Sequence, residues 1–389
     1  MKNRYLLMIC GVLLSSSLYA KTEAITFAKT YGMDEHDSAK SVIAVKDGFL
    51  VIGEIEYDLN SRYDMYLLKL DKFGNKVWSK AIGGKNDDKG SSLIETKDGY
   101  IAVGTTESFG GDRSSIYVVN ISKNGESRWQ RALYSNDDSY YYGTSIAKSE
   151  KGYKVVGWED KVKFFGSDVY GYVCDIDLDG DRFKTKRYGG DDDDRLFDVL
   201  KVDDGYIMVG ETDSIGNDGL NAYVVKVDNK SKLVWDRAYG WDYDERANAI
   251  ALAKNGYIVV GMTKSDRDRR KQIYVFKIDT NGRVIWRKTF GGKGDDEAFD
   301  IVADKDGYVI VGVTKSDLRR QNDVYAIKIN EKGKILWSRT YGGKEDDFAY
   351  GVDKTEDGYI IVGKTESFGK RRSDAYIIKV DKNGKLLKN

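Results

Sequence analysis

One glycine returns through the chain at almost constant intervals. Gly53, Gly104, Gly157, Gly210, Gly261, Gly312 and Gly363 each close a GYxxVG-like core, at spacings of 51, 53, 53, 51, 51 and 51 residues. A fixed period of this length decides architecture before any local motif is weighed. In the copy from Phe290 to Gly343, four segments have strand chemistry and are separated by turn signals. AFDIVADK (298–305) ends at Asp306-Gly307, a two-residue hairpin signal, and GYVIVGVT (307–314) is nearly all apolar, as a strand covered on both faces must be. A polar loop leads to VYAIKIN (324–330), and Glu331-Lys332-Gly333 turns the chain into KILWSRTYG (334–342). Four sequential antiparallel strands per unit, in seven units, predict an all-β, seven-bladed β-propeller. No blade buries both of its faces alone, so neighbours supply the core.

Trp78, Trp129, Trp235, Trp286 and Trp337 occupy one repeat position in the fourth strand, four residues after the turn. Apolar residues at a fixed repeat position pack, so these are expected to be wedges between blades. An indole N–H in such a place needs an acceptor nearby. Cys174 stands where other third strands carry Leu68, Val119, Val225, Phe276, Ile327 and Ile378, and is expected to be a buried small hydrophobe.

The two ends of the chain read as complementary. Lys2 and Arg4 precede an apolar run and the small-residue end Ser15 to Ala20, so residues 1–20 read as a secretory signal peptide cleaved after Ala20. Residues 21–389 are then a single propeller domain, exported to the periplasm or beyond, with no apolar run of membrane-spanning length. AITFAKTYG (24–32) aligns with a fourth strand and puts Phe27 at the tryptophan position, whereas the seventh unit stops before completing its own. The N-terminal strand is therefore expected to close the last blade, which removes exposed strand edges. The third unit deviates: it lacks the tryptophan, replaces the glycine pair with Ser135-Asn136, and carries Tyr140-Tyr141-Tyr142 and the aromatic loop KVKFFGSDVYGY.

The combined pattern DGYxxVG–DxYxxKxDxxGxxxW–YGGxxDD, over residues 25–389, resembles the propeller repeats of secreted bacterial and archaeal proteins. It is similar in appearance to pyrroloquinoline-quinone-like and WD-repeat-like propellers. That resemblance implies architecture and export rather than an activity.

Candidate chemistry is sparse. The segment after residue 20 holds one histidine, His36, so a multi-histidine metal site is excluded, and His36 reads as a solvated loop residue. Acidic loops join each fourth strand to the next first strand. They are expected to brace backbone amides. The alternative is calcium, for which Asp191, Asp192, Asp193 and Asp194 form the best candidate although the spaced calcium-loop pattern is missing. Asp177 to Asp181 shares the register of the hairpin turns and reads as one of them; its spacing also differs from the Asp-box of sialidases. Basic residues gather in the loops between second and third strands of blades five to seven. There Arg269, Arg270, Arg319, Arg320, Arg371 and Arg372 are expected to share one rim sector.

With 63 basic and 63 acidic residues the chain has no net charge, which argues against nucleic acid. The expected function is a monomeric, non-catalytic interaction platform that needs no cofactor. It would use one loop-bearing face, with the arginines docking a protein or an anionic envelope glycan. The alternative is a propeller enzyme, quinoprotein-like or glycan-cleaving, with its site at the channel mouth. The vicinal cysteine pair of a quinoprotein is missing, and no acid/base pair stands out.

Overall fold

The computed structural model describes residues 24–32, 35–56, 62–134, 138–164, 166–217, 219–241, 243–264, 270–315, 321–369 and 372–386. The segment 1–20, read above as a signal, lies outside them. The described strands, β1 to β28 in chain order, form seven four-stranded antiparallel sheets. Blade six is representative, with β22 (Asp296–Asp304), β23 (Gly307–Thr314), β24 (Asp323–Ile329) and β25 (Ile335–Tyr341) in sequential order. The first strand of each blade touches the first strands of both neighbours around a closed ring, so first strands wall the central channel and fourth strands lie outermost. The last sheet is completed by β1 (Phe27–Tyr31), which pairs with β28 (Asp374–Asp381). Phe27 lies opposite Lys379 as Trp78 lies opposite Lys69, so Phe27 takes the tryptophan position as expected. No described helix is long and apolar enough to cross a membrane.

The recurring glycine has a local cause. The first strand of every blade carries a β-bulge at one position, between Ala298 and Asp300 in blade six. The bulge pushes a carbonyl toward the second strand, and a Cβ on Gly312 would come within 1.9 Å of the Glu297 oxygen. Between blades, each wedge reaches a neighbour's turn. The indoles of Trp286 and Trp337 donate to the carbonyls of Glu331 and Lys382 at 3.2 and 3.1 Å. A Cβ on Gly333 would sit 3.0 Å from the Trp286 ring, in a backbone conformation (φ +68°) that itself favours glycine. These tryptophans are half-buried, at the outer margin of the blade contact rather than inside it. The interior belongs to the second and third strands, and every residue of β23 is buried. Cys174 is among the buried residues, and burial pushes its thiol pKa up.

Blade three departs in structure as it does in sequence. Its β10 (Ser139–Ser149), β11 (Gly152–Val162) and β12 (Ser167–Asp177) each run to 11 residues. The aromatic loop is therefore a β-hairpin raised above the face, not an irregular excursion. His36 also differs from expectation. It is half-buried, forms a parallel bridge with Ser373, and exchanges hydrogen bonds with Glu56, fastening blade seven to blade one.

Candidate functional site

Antiparallel order places two loop sets on one face: those entering each first strand and those joining second to third strands. The acidic loops are used there as braces. In five of the loops the last acid folds back onto the amide four residues earlier, as with Asp88 and Gly84 at 2.7 Å, Asp194 and Gly190 at 2.8 Å, and Asp347 and Gly343 at 2.8 Å. The preceding aspartate turns outward to accept from the other loop set, Asp295 from the Lys271 N–H at 2.9 Å and Asp346 from the Asn322 N–H at 2.8 Å. Of the four candidate calcium ligands, Asp194 is buried and also accepts from the Ser214 hydroxyl at 2.8 Å. Asp193 pairs with Arg195 at 3.1 Å, while Asp191 and Asp192 are exposed. Among the described residues no group of three or more acidic, histidine or cysteine side chains is arranged to hold a metal ion.

Of the six arginines, Arg269, Arg319, Arg320 and Arg371 lie outside the described residues. Arg270 and Arg372 are exposed at matching positions two residues before a third strand, with Gln321 at the equivalent place between them. Arg372 approaches Glu35 at 3.7 Å.

The channel mouth on this face is richer than its loops. Two residues from each blade project there: the bulge residue of the first strand and the residue two positions before it. In blades four to six they build a chain of ion pairs. Arg195 and Arg246 both donate to Glu211, at 3.1 and 2.7 Å, and Lys271 donates to Glu297 at 2.7 Å. Glu211 and Glu297 are almost wholly buried beneath these cations. In blades six and seven the bulge residues Phe299 and Tyr350 meet edge to face, 5.4 Å between ring centres. Lys40 of blade one lies 4.6 Å from the centre of the Tyr350 ring while pairing with Glu54 at 3.0 Å. Burial raises the Glu54 pKa, but Lys40 and the Ser38 hydroxyl outweigh it and hold the carboxyl below the usual range. In blades three and four, Tyr142 stacks on Trp158, and Trp158 meets Phe197 edge-on.

Deeper in the wall, three carboxyls hold blades together. Asp198 accepts from the amides of Val199 and, in the next blade, Ile250, at 2.8 and 3.1 Å. Asp300 does the same with Ile301 and Val352, at 2.7 and 2.8 Å, and Asp353 with Lys354 and Ala44, both at 2.7 Å. Burial pushes Asp300 up to about 8, with the charges of Asp198 and Asp353 adding to it.

The mouth residues were missed by a reading that followed the charged loops. The available signal was a repeat position that varies in chemistry while its neighbours do not, running from Lys40 through Phe197 to Tyr350. Trp158 is a second signal, because it stands outside the register of the five wedge tryptophans.

No protein-family model matches the chain, and no curated protein matches it. Among solved structures it is similar to an acylaminoacyl peptidase of Pyrococcus horikoshii, at 12% identity and a TM-score of 0.51. That match covers 92% of this chain and 54% of the peptidase, so the chain spans about half the peptidase's length. Sqt1 from Chaetomium thermophilum matches at 10% identity and a TM-score of 0.46, over 90% of this chain and 99% of that one. An apocarotenoid oxygenase of Synechocystis matches at 10% and 0.46, over 87% of each chain. Identities this low speak to the fold alone.

Proposed function

We propose that the chain is an exported, non-catalytic propeller that holds a protein or glycan partner on its loop-bearing face, around the channel mouth. One observation carries this reading: three buried or half-buried carboxylates at the mouth, Glu54, Glu211 and Glu297, are each engaged by a lysine or arginine. General acid catalysis calls for a carboxyl of raised pKa within reach of a substrate. The raised carboxyls of the channel, Asp198, Asp300 and Asp353, are half-buried in its wall and each committed to two backbone amides. What the face offers outward is half-exposed aromatic and cationic surface, the composition that suits recognition. The hairpin of blade three makes it asymmetric, with Phe164 92% exposed at its tip. Export rests on the character of residues 1–20 and on the resemblance to secreted propeller repeats, pyrroloquinoline-quinone-like and WD-repeat-like among them. The arginine sector of blades five to seven would add a salt-sensitive contact to an anionic partner.

The test passes a cell-envelope extract over the immobilised domain. Wild type retains a component, and so does a variant of the opposite face, Lys72→Glu with Lys123→Glu. A mouth variant, Phe299→Ala with Tyr350→Ala, loses it while melting like wild type. Retention by the mouth variant but not by the opposite-face variant contradicts the proposal. So does conversion of any substrate that depends on the mouth residues.

A further inference from the structure

On one side of the mouth, between blades one, two and three, lies a cleft of about 350 Å³. That is within the size range of small-molecule sites, roughly 300–1,000 Å³. One wall is aromatic: the rings of Tyr142 and Trp158 lie 19° from parallel with centres 4.8 Å apart, and Phe197 stands nearly perpendicular to Trp158 with centres 6.0 Å apart. Opposite them stand two ion pairs, Lys40 with Glu54 at 3.0 Å and Lys89 with Asp87 at 3.2 Å. Ser91, Thr105 and Thr144 also line it.

The indole is out of place for a structural wedge. At its position the other blades carry Glu54, Thr105, Glu211, Met262, Val313 and Lys364, so no packing rule of the repeat calls for a large ring there. Trp158 is half-buried, with apolar surface left at a wet opening. Charge narrows the choice of ligand. Each lysine is already matched by a carboxylate, and Glu107 adds a third acid to the lining. An anionic ligand would meet two cations against three anions, and a charged side chain would take one member of an ion pair from its partner. A neutral pyranose fits both halves. Its C–H face packs on an aromatic ring, and its rim of hydroxyls both donates and accepts, as paired ammonium and carboxylate groups require. We infer that this cleft binds a neutral saccharide, with the stacked Tyr142–Trp158 pair as its aromatic platform and the Lys40–Glu54 and Lys89–Asp87 pairs gripping the hydroxyls. The inference rests on reading this face as a binding surface.

Microcalorimetry would use neutral oligomers of glucose, mannose and N-acetylglucosamine, with oligogalacturonate as the acidic comparison. A neutral oligomer binds wild type and is insensitive to salt up to about 0.5 M. Affinity falls about tenfold in Trp158→Ala and less in Trp158→Tyr, which keeps an aromatic face. Lys89→Ala weakens binding independently of the ring, which guards against a variant that merely misfolds, and melting curves accompany each protein. The inference is overturned if no neutral oligomer binds, if Trp158→Ala and Lys89→Ala bind as wild type, or if only oligogalacturonate or a peptide occupies the cleft. If saccharides fail while Phe299→Ala with Tyr350→Ala still loses its envelope component, the saccharide assignment falls and the platform stands. If saccharides bind while that variant retains its component, the reverse holds.

Discussion

Lys154 is wholly buried at a position where the other six second strands carry Leu50, Ile101, Ile207, Ile258, Val309 and Ile360. Its cross-strand partner Asp175 stands where five of the other third strands carry lysine. Charge has thus been exchanged between adjacent strands of blade three, and the ammonium is held by Asp175 and by the Ser231 hydroxyl of the next blade. Ser231 itself replaces the turn glycine, at φ 61°. A buried charge stripped of its partner is costly. Asp175→Ala should therefore lose about 2–3 kcal/mol, toward the low end because Asp175 keeps 38% of its side chain in solvent. Restoring the repeat's aliphatic with Lys154→Ile in the same protein should recover most of that loss, measured as a denaturant-melt cycle. Asp300 provides a second test. Its folded pKa, about 8, lies above the ordinary carboxyl value of 3.8, so the folded state holds a proton that the unfolded chain has released. Stability should then fall as pH rises through that window, by several kcal/mol at most, and level off above about 8. Asp300→Asn should flatten the fall between pH 5 and 8 in melts recorded across pH. An equally steep fall in the variant assigns the dependence elsewhere.

At the scale of elements, the strands were legible because their chemistry repeats seven times. GYVIVGVT coincides with β23 residue for residue, and closure by β1 followed from matching Tyr31-Gly32 to Tyr341-Gly342. The bulges were not legible, since one inserted residue leaves a short alternating run such as AFDIVAD readable in two registers. Nor was the long hairpin of blade three. Glu159 looks like a loop residue, yet it is buried under Arg187 and the Ser139 hydroxyl, taking over the acid that other blades carry at the start of the first strand. Deleting residues 24–32 should leave one edge of β28 unpaired, strip Phe27 from blade one, lower the melting temperature and promote association through the bare edge; an unchanged melt would refute closure by β1. For the acidic loops, calcium should leave the melting temperature of wild type unchanged. Asp194→Ala should lower it with or without the ion, because that carboxylate secures the Gly190 amide and Ser214.

For the whole molecule, seven near-equal blades give a rigid ring, and function is expected where the equality breaks. On the loop-bearing face it breaks in the varied residues of the channel mouth, in Trp158 and in the raised hairpin of blade three. Asp198, Asp300 and Asp353 brace the ring blade to blade and so hold those side chains in place. The most direct measurement is a hydrogen-exchange footprint of the domain saturated with the envelope component or saccharide it retains. Protection should concentrate at the starts of the first strands and the ends of the second strands, around Lys40, Trp158 and Tyr350. The hairpin turns of the opposite face, near Lys72 and Lys123, should exchange as in the free protein. Protection confined to those turns, with the mouth unchanged, would contradict the account.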